Sequence, residues 1–173
     1  MKRNILSLLI ALFATMQVAA QTYENLWKQA EIIAQKDQPK SEIAVMKKII
    51  AKASAAKDYG QLLAAEIRQM TLWKEISADS LSPNLKRMET EVLKVNDPAL
   101  KAVRYAVLGK VYCDMNEKKS QEFFKKALEQ PELLARHAST EYVPLTLKGV
   151  DGSSFNNDLL HLIGFEADSK EAY

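Results

Sequence analysis

Beyond residue 22 the apolar residues recur mostly at intervals of three and four, the period of a helix rather than a strand. Tyr23, Leu26, Ala30 and Ile33 form the first stripe, widened by Trp27 and Ala34, and predict a helix over Tyr23–Asp37. Asp37-Gln38-Pro39 ends it. A second helix is predicted over Ser41–Lys57, with Ser41 as its cap. Ile43, Met46, Ile50 and Ala53 face one way there, and Ile49 flanks them. Asp58-Tyr59-Gly60 reads as a turn. A third helix then covers Gln61–Ser77, with Leu62, Leu63, Ile67, Met70 and Trp73 inward. So short a connection predicts antiparallel neighbours. After a break at Asp79–Pro83, Ser82 reads as a cap and Pro83 as the first helical residue. Leu85, Met88, Val92 and Val95 are the stripe of this fourth helix.

The stretch from Pro98 to Pro131 is the pattern around which the other helices are arranged. Asp97-Pro98 is a cap followed by a proline, and Tyr105, Leu108, Gly109 and Tyr112 lie at i, i+3, i+4 and i+7. A glycine inside a helix costs about 1 kcal/mol against alanine, so Gly109 predicts close approach of a neighbouring helix. Asn116-Glu117-Lys118-Lys119 reads as a polar turn. Ser120, Phe124, Ala127 and Leu128 are the apolar side of the returning helix, which Pro131 ends. The order aromatic, Leu-Gly, Tyr, then small, Phe, Ala and Pro resembles one tetratricopeptide repeat. Ser120 stands where alanine is usual in that repeat, and the turn is about one residue short. The resemblance implies packing roles for Tyr105, Leu108, Gly109, Tyr112, Phe124 and Ala127.

Beyond Pro131 the pattern changes. Glu132–Arg136 predicts a short helical turn. Tyr142 to Leu147 alternates and is β-branched, which predicts an extended segment or short strand over the helices. Gly149–Ser154 is turn-rich. Asn157 or Asp158 then starts a helix carrying Leu159, Leu160, Leu162, Ile163 and Phe165, an apolar set that predicts an interaction face. Ser169–Tyr173 looks like a cap and a single turn, too short to be stable alone. The expectation is a chain that continues into further domains, and an isolated product that self-associates.

Before this helical pattern lies a different one. Lys2 and Arg3 precede the apolar run Ile5–Met16, which is too short to span a bilayer. Val18-Ala19-Ala20 supplies small residues for cleavage between Ala20 and Gln21. Residues 1–20 therefore read as an export signal, and the product as periplasmic, envelope-bound or extracellular. The whole chain carries a formal charge of +2. Both surplus cations lie in the signal, so the remainder is neutral and offers no basic field for nucleic acid. No stable membrane span is expected once the signal is removed.

Cys113 is the only cysteine, so no disulfide can form within the chain. It reads as a small buried apolar residue. His137 and His161 stand far apart, and no His-x-x-x-His or Cys-x-x-Cys pair occurs, so neither a zinc site nor a cofactor is expected. Ser54-Ala-Ala-Lys57 matches a Ser-x-x-Lys pattern without its companion motifs. Asp151–Asp158 is rich in oxygen ligands but lacks the acid spacing of a calcium loop. A small enzyme built on Cys113 and the two histidines is the weakest of the readings; a non-catalytic protein is expected.

Tyr23-Glu24-Asn25-Leu26-Trp27-Lys28-Gln29, directly after the signal, resembles the start of large exported bacterial proteins of the alpha-2-macroglobulin family. Pro39-Lys40-Ser41, Glu141-Tyr142-Val143-Pro144 and Asn157-Asp158-Leu159-Leu160-His161-Leu162-Ile163 carry the same resemblance. It implies a helical prelude to β-sandwich domains in a protease-inhibitor-type protein. The thioester motif of many members, Cys-Gly-Glu-Gln, does not occur here, and Cys113 does not take its place. The expected architecture is all-α: a helical-hairpin domain over 21–136 stacked as a tetratricopeptide-like solenoid, an irregular or extended segment over 137–156, and a C-terminal helix over 157–173. Expected partners are later domains of the same polypeptide or another envelope protein. A free-standing periplasmic adaptor is the alternative.

Overall fold

The computed structural model describes residues 22–113, 115–146 and 158–168, and these residues are all-α. Ala20 and Gln21 lie outside them, as do Gly149–Ser154 and Ser169–Tyr173. The described chain falls into two compact units, one ending at Ile76 and the other beginning at Ser77.

The described part of the first unit is three helices: α1 (Tyr23–Ala34), α2 (Pro39–Ala56) and α3 (Tyr59–Ile76). The Thr22 hydroxyl accepts from the Asn25 N–H at 3.2 Å and starts α1. Leu26 and Ala30 of α1, Met46 and Ile49 of α2, and Ala65 and Leu72 of α3 meet in one core, with Trp27 and Trp73 packed against it. Full burial of a side chain such as Ile49, 0% exposed, contributes about 1.5–3 kcal/mol. The stripe of α2 is rotated from its predicted position. Val45 and Ile49 are buried and Ile50 is only half-buried, because α2 packs against helices on two sides.

Two predicted boundaries of this unit are corrected. Helix α2 begins at Pro39, not Ser41, since proline's fixed φ suits the first helical position. The Asp58–Gly60 turn is shorter than expected. Lys57 takes the left-handed conformation with φ 55° and closes α2, its N–H reaching the Ala53 and Ser54 carbonyls. The Asp58 carboxylate then accepts from the Gln61 N–H at 3.3 Å. Tyr59 and Gly60 are thereby already helical, and Gly60 is buried.

The second unit opens with a 3-10 turn, Ala78–Ser80, that runs into α4 (Leu81–Leu93). Leu85, Met88 and Val92 are its buried stripe. Pro83 sits inside the first turn instead of opening it, and Ser80, not Ser82, is the cap residue. Then come α5 (Pro98–Tyr112), α6 (Glu117–Ala127) and α7 (Pro131–Leu134). Asp97 caps α5 by accepting from Leu100 N–H at 2.9 Å. Asn116 caps α6 by accepting from Lys119 N–H at 3.1 Å. Glu117, Lys118 and Lys119 are therefore helical, not part of a turn as their polarity suggested.

Residues 139–142 form a 3-10 turn, and 143–146 continue as turn, not strand. Pro144, whose peptide bond from Val143 is cis, has no N–H to give a ladder. Neighbouring groups are satisfied locally, Val143 N–H by Thr140 O and Thr146 N–H by Tyr142 O. The segment is pinned by one antiparallel bridge, Ala138 to Asp158. Helix α8 (Leu159–Asp168) follows and packs on α5, α6 and α7.

Candidate interaction surface

The α5–α6 hairpin gathers six residues singled out in the sequence: Tyr105, Leu108, Gly109, Tyr112, Phe124 and Ala127. Their roles divide between two faces. On one, Gly109 lies against the Phe124 ring, so near that a Cβ there would stand 2.8 Å from Phe124 Cδ2. Beside it the buried Ser120 hydroxyl donates to the Gly109 carbonyl at 2.7 Å. A serine in place of the usual alanine thus ties the two helices together. Leu108 and Ala127 are each 1% exposed and complete the contact.

The other face turns on Phe123, which the sequence reading passed over. Its ring stacks on Tyr105 with centroids 6.1 Å apart and on Tyr112 at 5.6 Å. Two lysines of α6 lie over this aromatic row. Lys119 Nζ is 4.5 Å from the Tyr112 ring centre. Lys126 Nζ is 5.7 Å from Tyr105 and 5.5 Å from Phe123. Such contacts contribute about 0.5–1 kcal/mol at exposed positions. The signal was present in the sequence: Lys119, Phe123 and Lys126 fall at i, i+4 and i+7 on one helix face.

Glu89 of α4 joins one end of the row. It accepts from Lys119 Nζ at 2.7 Å and from the Tyr112 hydroxyl. Burial alone would raise the Glu89 carboxyl, but the hydrogen bonds from Lys119 and Tyr112 outweigh it and hold the group below the usual glutamate range. Burial, then the bond to Glu89, pushes the Tyr112 hydroxyl up. The bonds to Glu89 and to Tyr112 push the Lys119 ammonium up as well. All three shifts favour the ion-paired arrangement, which makes it a clamp between α4 and the hairpin.

The opposite end of the row is different. There α5 and α6 leave a cavity of about 300 Å³ lined by Lys101, Ala102, Tyr105, Lys126, Glu129 and Gln130, among others. Comparison with family models, curated proteins and solved structures finds no match. The chemistry of this surface therefore has to be read from its own residues.

The predicted C-terminal face is largely spent on the second unit's own core. Leu159 is 1% exposed and Ile163 4%, both covered inside the unit. Leu160 and Leu162 are half-buried, and Phe165, 50% exposed, is the main residue of that set left at the surface. The reason is that α8 lies on α5, α6 and α7, the tie between Leu159 N–H and His137 O (2.9 Å) fixing where it starts.

Residues considered for chemistry stand apart. His137 pairs locally with Glu141 at 2.9 Å, and His161 with Asp158 at 2.8 Å. Cys113 is half-buried at the end of α5, not fully buried as expected. Ser54 and Lys57 are both exposed. Among the described residues no three His, Cys, Asp or Glu side chains converge as a metal site. Among them, too, no helix is long and apolar enough to cross a membrane. In the first unit the buried Glu42 receives two hydrogen bonds from Arg68, at 2.7 and 3.0 Å. Arg68 also reaches Glu75 at 3.7 Å. This cluster joins α2 to α3, and its ions are occupied with one another.

Proposed function

We propose that this chain is an exported, non-catalytic helical module that binds protein. The observation that carries the reading is the lysine-topped aromatic row on the α5–α6 hairpin. Aromatic side chains held in place by packing are enriched at binding surfaces, and Tyr105 is the half-buried ring of this row that reaches the surface. Two other features support it. The charged clusters are ion pairs that brace helices, and among the described residues Cys113 joins no cluster of three His, Cys, Asp or Glu side chains. The hairpin itself, with Gly109 admitting Phe124, supports a tetratricopeptide-like packing of the helices. The stretch Tyr23–Gln29 and the three further motifs resembling the alpha-2-macroglobulin family support a place at the N-terminal end of such a protein. There the module packs against later domains or an envelope partner. The charged start and apolar core of residues 1–20 support export.

One observation favours a second reading, a free-standing periplasmic adaptor. Leu159 and Ile163 are already covered within their own unit, so α8 needs no further domain to shield them.

Photo-crosslinking side chains placed at Lys48, Lys101 and Phe165 of the full chain, expressed in a bacterial envelope, test the interaction reading. A discrete adduct, reproducible from at least one position, is the expected result. Absence of any adduct at all three, with the chain folded and exported, would refute it. N-terminal sequencing of the exported product should return Gln21. A native product much longer than this chain favours the prelude; one ending near Tyr173 favours the adaptor.

A further inference from the structure

We propose that the cavity between the start of α5 and the end of α6 is a docking site for a protein segment presenting a single carboxylate beside an apolar residue. This deepens the interaction reading above and rests on it. Among the described residues, two other lysines of this hairpin are ion-paired, while Lys118 and Lys125 are not ion-paired and lie over no aromatic ring. Lys119 has Glu89 at 2.7 Å, and Lys110 has Glu166. Lys101 and Lys126, which line the cavity, have no carboxylate within ion-pair distance among the described residues. Lys126 is nevertheless held in place, its ammonium lying over the Tyr105 and Phe123 rings. The charge of Lys126 is felt by Glu89, but Glu89 lies beyond ion-pair distance and is bonded to Lys119 and Tyr112, so the positioned ammonium is preorganised for an anion brought by a partner.

The walls narrow the class of occupant. A volume of about 300 Å³ has room for one or two side chains, not for a folded element. Ala102 and Ala127 make a shallow apolar floor, and Tyr105 an aromatic wall. Glu129 also lines the cavity. It pairs with neither lysine and repels a second negative charge. The chemistry that fits is one carboxylate between Lys101 and Lys126, with an apolar neighbour against Tyr105. A polyacidic stretch does not fit. Gln130 can donate its amide to the same carboxylate or to the segment's backbone.

The test is a two-dimensional NMR titration of the full chain with acetyl-Phe-Glu-N-methylamide, using the Phe-Gln and Phe-Lys analogues as controls. The glutamate peptide is expected to shift resonances of Lys101, Tyr105, Lys126 and Gln130 saturably, and less at high salt. The Phe-Gln analogue should bind at least about tenfold more weakly, the scale of losing a charged hydrogen bond. The double substitution Lys101→Gln/Lys126→Gln should abolish the shifts, while Lys118→Gln, on the exposed start of α6, leaves them intact. Equal shifts from the Glu and Gln peptides, or shifts spread over lysines of both units, would overturn the assignment. If a crosslinked partner forms from Lys48 or Phe165 and persists in the double variant while the peptide does not bind, the interaction reading stands and this site falls. Loss of all adducts together with a peptide that still binds would separate the two in the other direction.

Discussion

At the scale of single residues, the most consequential choice in the chain is an absence. Gly109 is helical, and alanine there would gain about 1 kcal/mol of propensity. The Phe124 ring occupies the space, and Phe124 is only 4% exposed, so the ring has little room to retreat. Overpacking of a filled core costs about 1–3 kcal/mol. Gly109→Ala is therefore expected to lower stability by up to about 2 kcal/mol, the difference of these two effects. Urea denaturation would measure it, and adding Phe124→Leu should recover part of the loss. Lys57 offers the opposite case. A side chain in the left-handed region costs roughly 1 kcal/mol, and at φ 55° glycine carries no such strain. Lys57→Gly should raise the unfolding midpoint slightly. Glu42 is a third kind of residue. Its carboxylate is buried with Arg68 as its partner, while Arg68 itself is partly open to water. Arg68→Ala leaves that carboxylate unpaired and should cost about 1–3 kcal/mol. Chemical denaturation of a Glu42→Gln/Arg68→Ala pair, if milder than Arg68→Ala alone, would identify the orphaned charge as the cause.

At the scale of elements, α4 is joined to the α5–α6 hairpin by the clamp of Glu89, Tyr112 and Lys119, and this sets a pH dependence. Glu89 is held below its unfolded value, so its contribution is present above about pH 4 and fades as pH falls through the folded value. Lys119 and Tyr112 are both raised. Their contributions are present below about pH 10 and fade as pH rises through the folded values. Glu89→Gln should thus flatten both limbs of a plot of melting temperature against pH, as circular dichroism would record; an unchanged acid limb would count against the clamp. Element identity was legible in the sequence because amphipathic stripes such as Leu85, Met88 and Val92 repeat at helix period. Boundaries were less so. Lys57 adopts a conformation that favours glycine, and the nearby Gly60 drew the expected turn to the wrong place. Tyr142–Thr146 alternates like a strand, but no neighbouring strand among the described residues offers it a ladder, and Pro144 lacks the donor to join one. The aromatic row was half legible. Tyr105 and Tyr112 stood out, while Phe123 was overlooked beside Phe124 because adjacent helical residues were assigned to a single face, whereas α6 buries both.

At the scale of the whole molecule, the chain divides into two units, each with its own buried core. A cavity made in one core should therefore be felt first in that unit. Met46 is 0% exposed, and Met46→Ala should cost about 2–5 kcal/mol. Hydrogen exchange followed by mass spectrometry should show protection lost mainly between residues 22 and 76, with less change between 77 and 168. Uniform loss would mean that the cores unfold as one. The division was hidden from sequence reading because the break at Asp79–Pro83, just past Ile76 and Ser77, is short and resembles the other breaks between helices. It has a consequence of a practical sort. The chain has two tryptophans, Trp27 and Trp73, and both pack on the core of the first unit. Trp27 also donates its indole N–H to the Gln61 side chain at 2.6 Å. The second unit, from Ser77 onward, contains tyrosine and phenylalanine but no tryptophan. Indole emission is therefore a colour filter for the first unit alone, whereas near-ultraviolet dichroism sums both units, since Tyr23, Tyr59 and both tryptophans contribute beside the stacked tyrosines of the second. In one denaturation series, a dichroism transition that indole emission lacks belongs to the second unit, and no label or mutation is needed to see it.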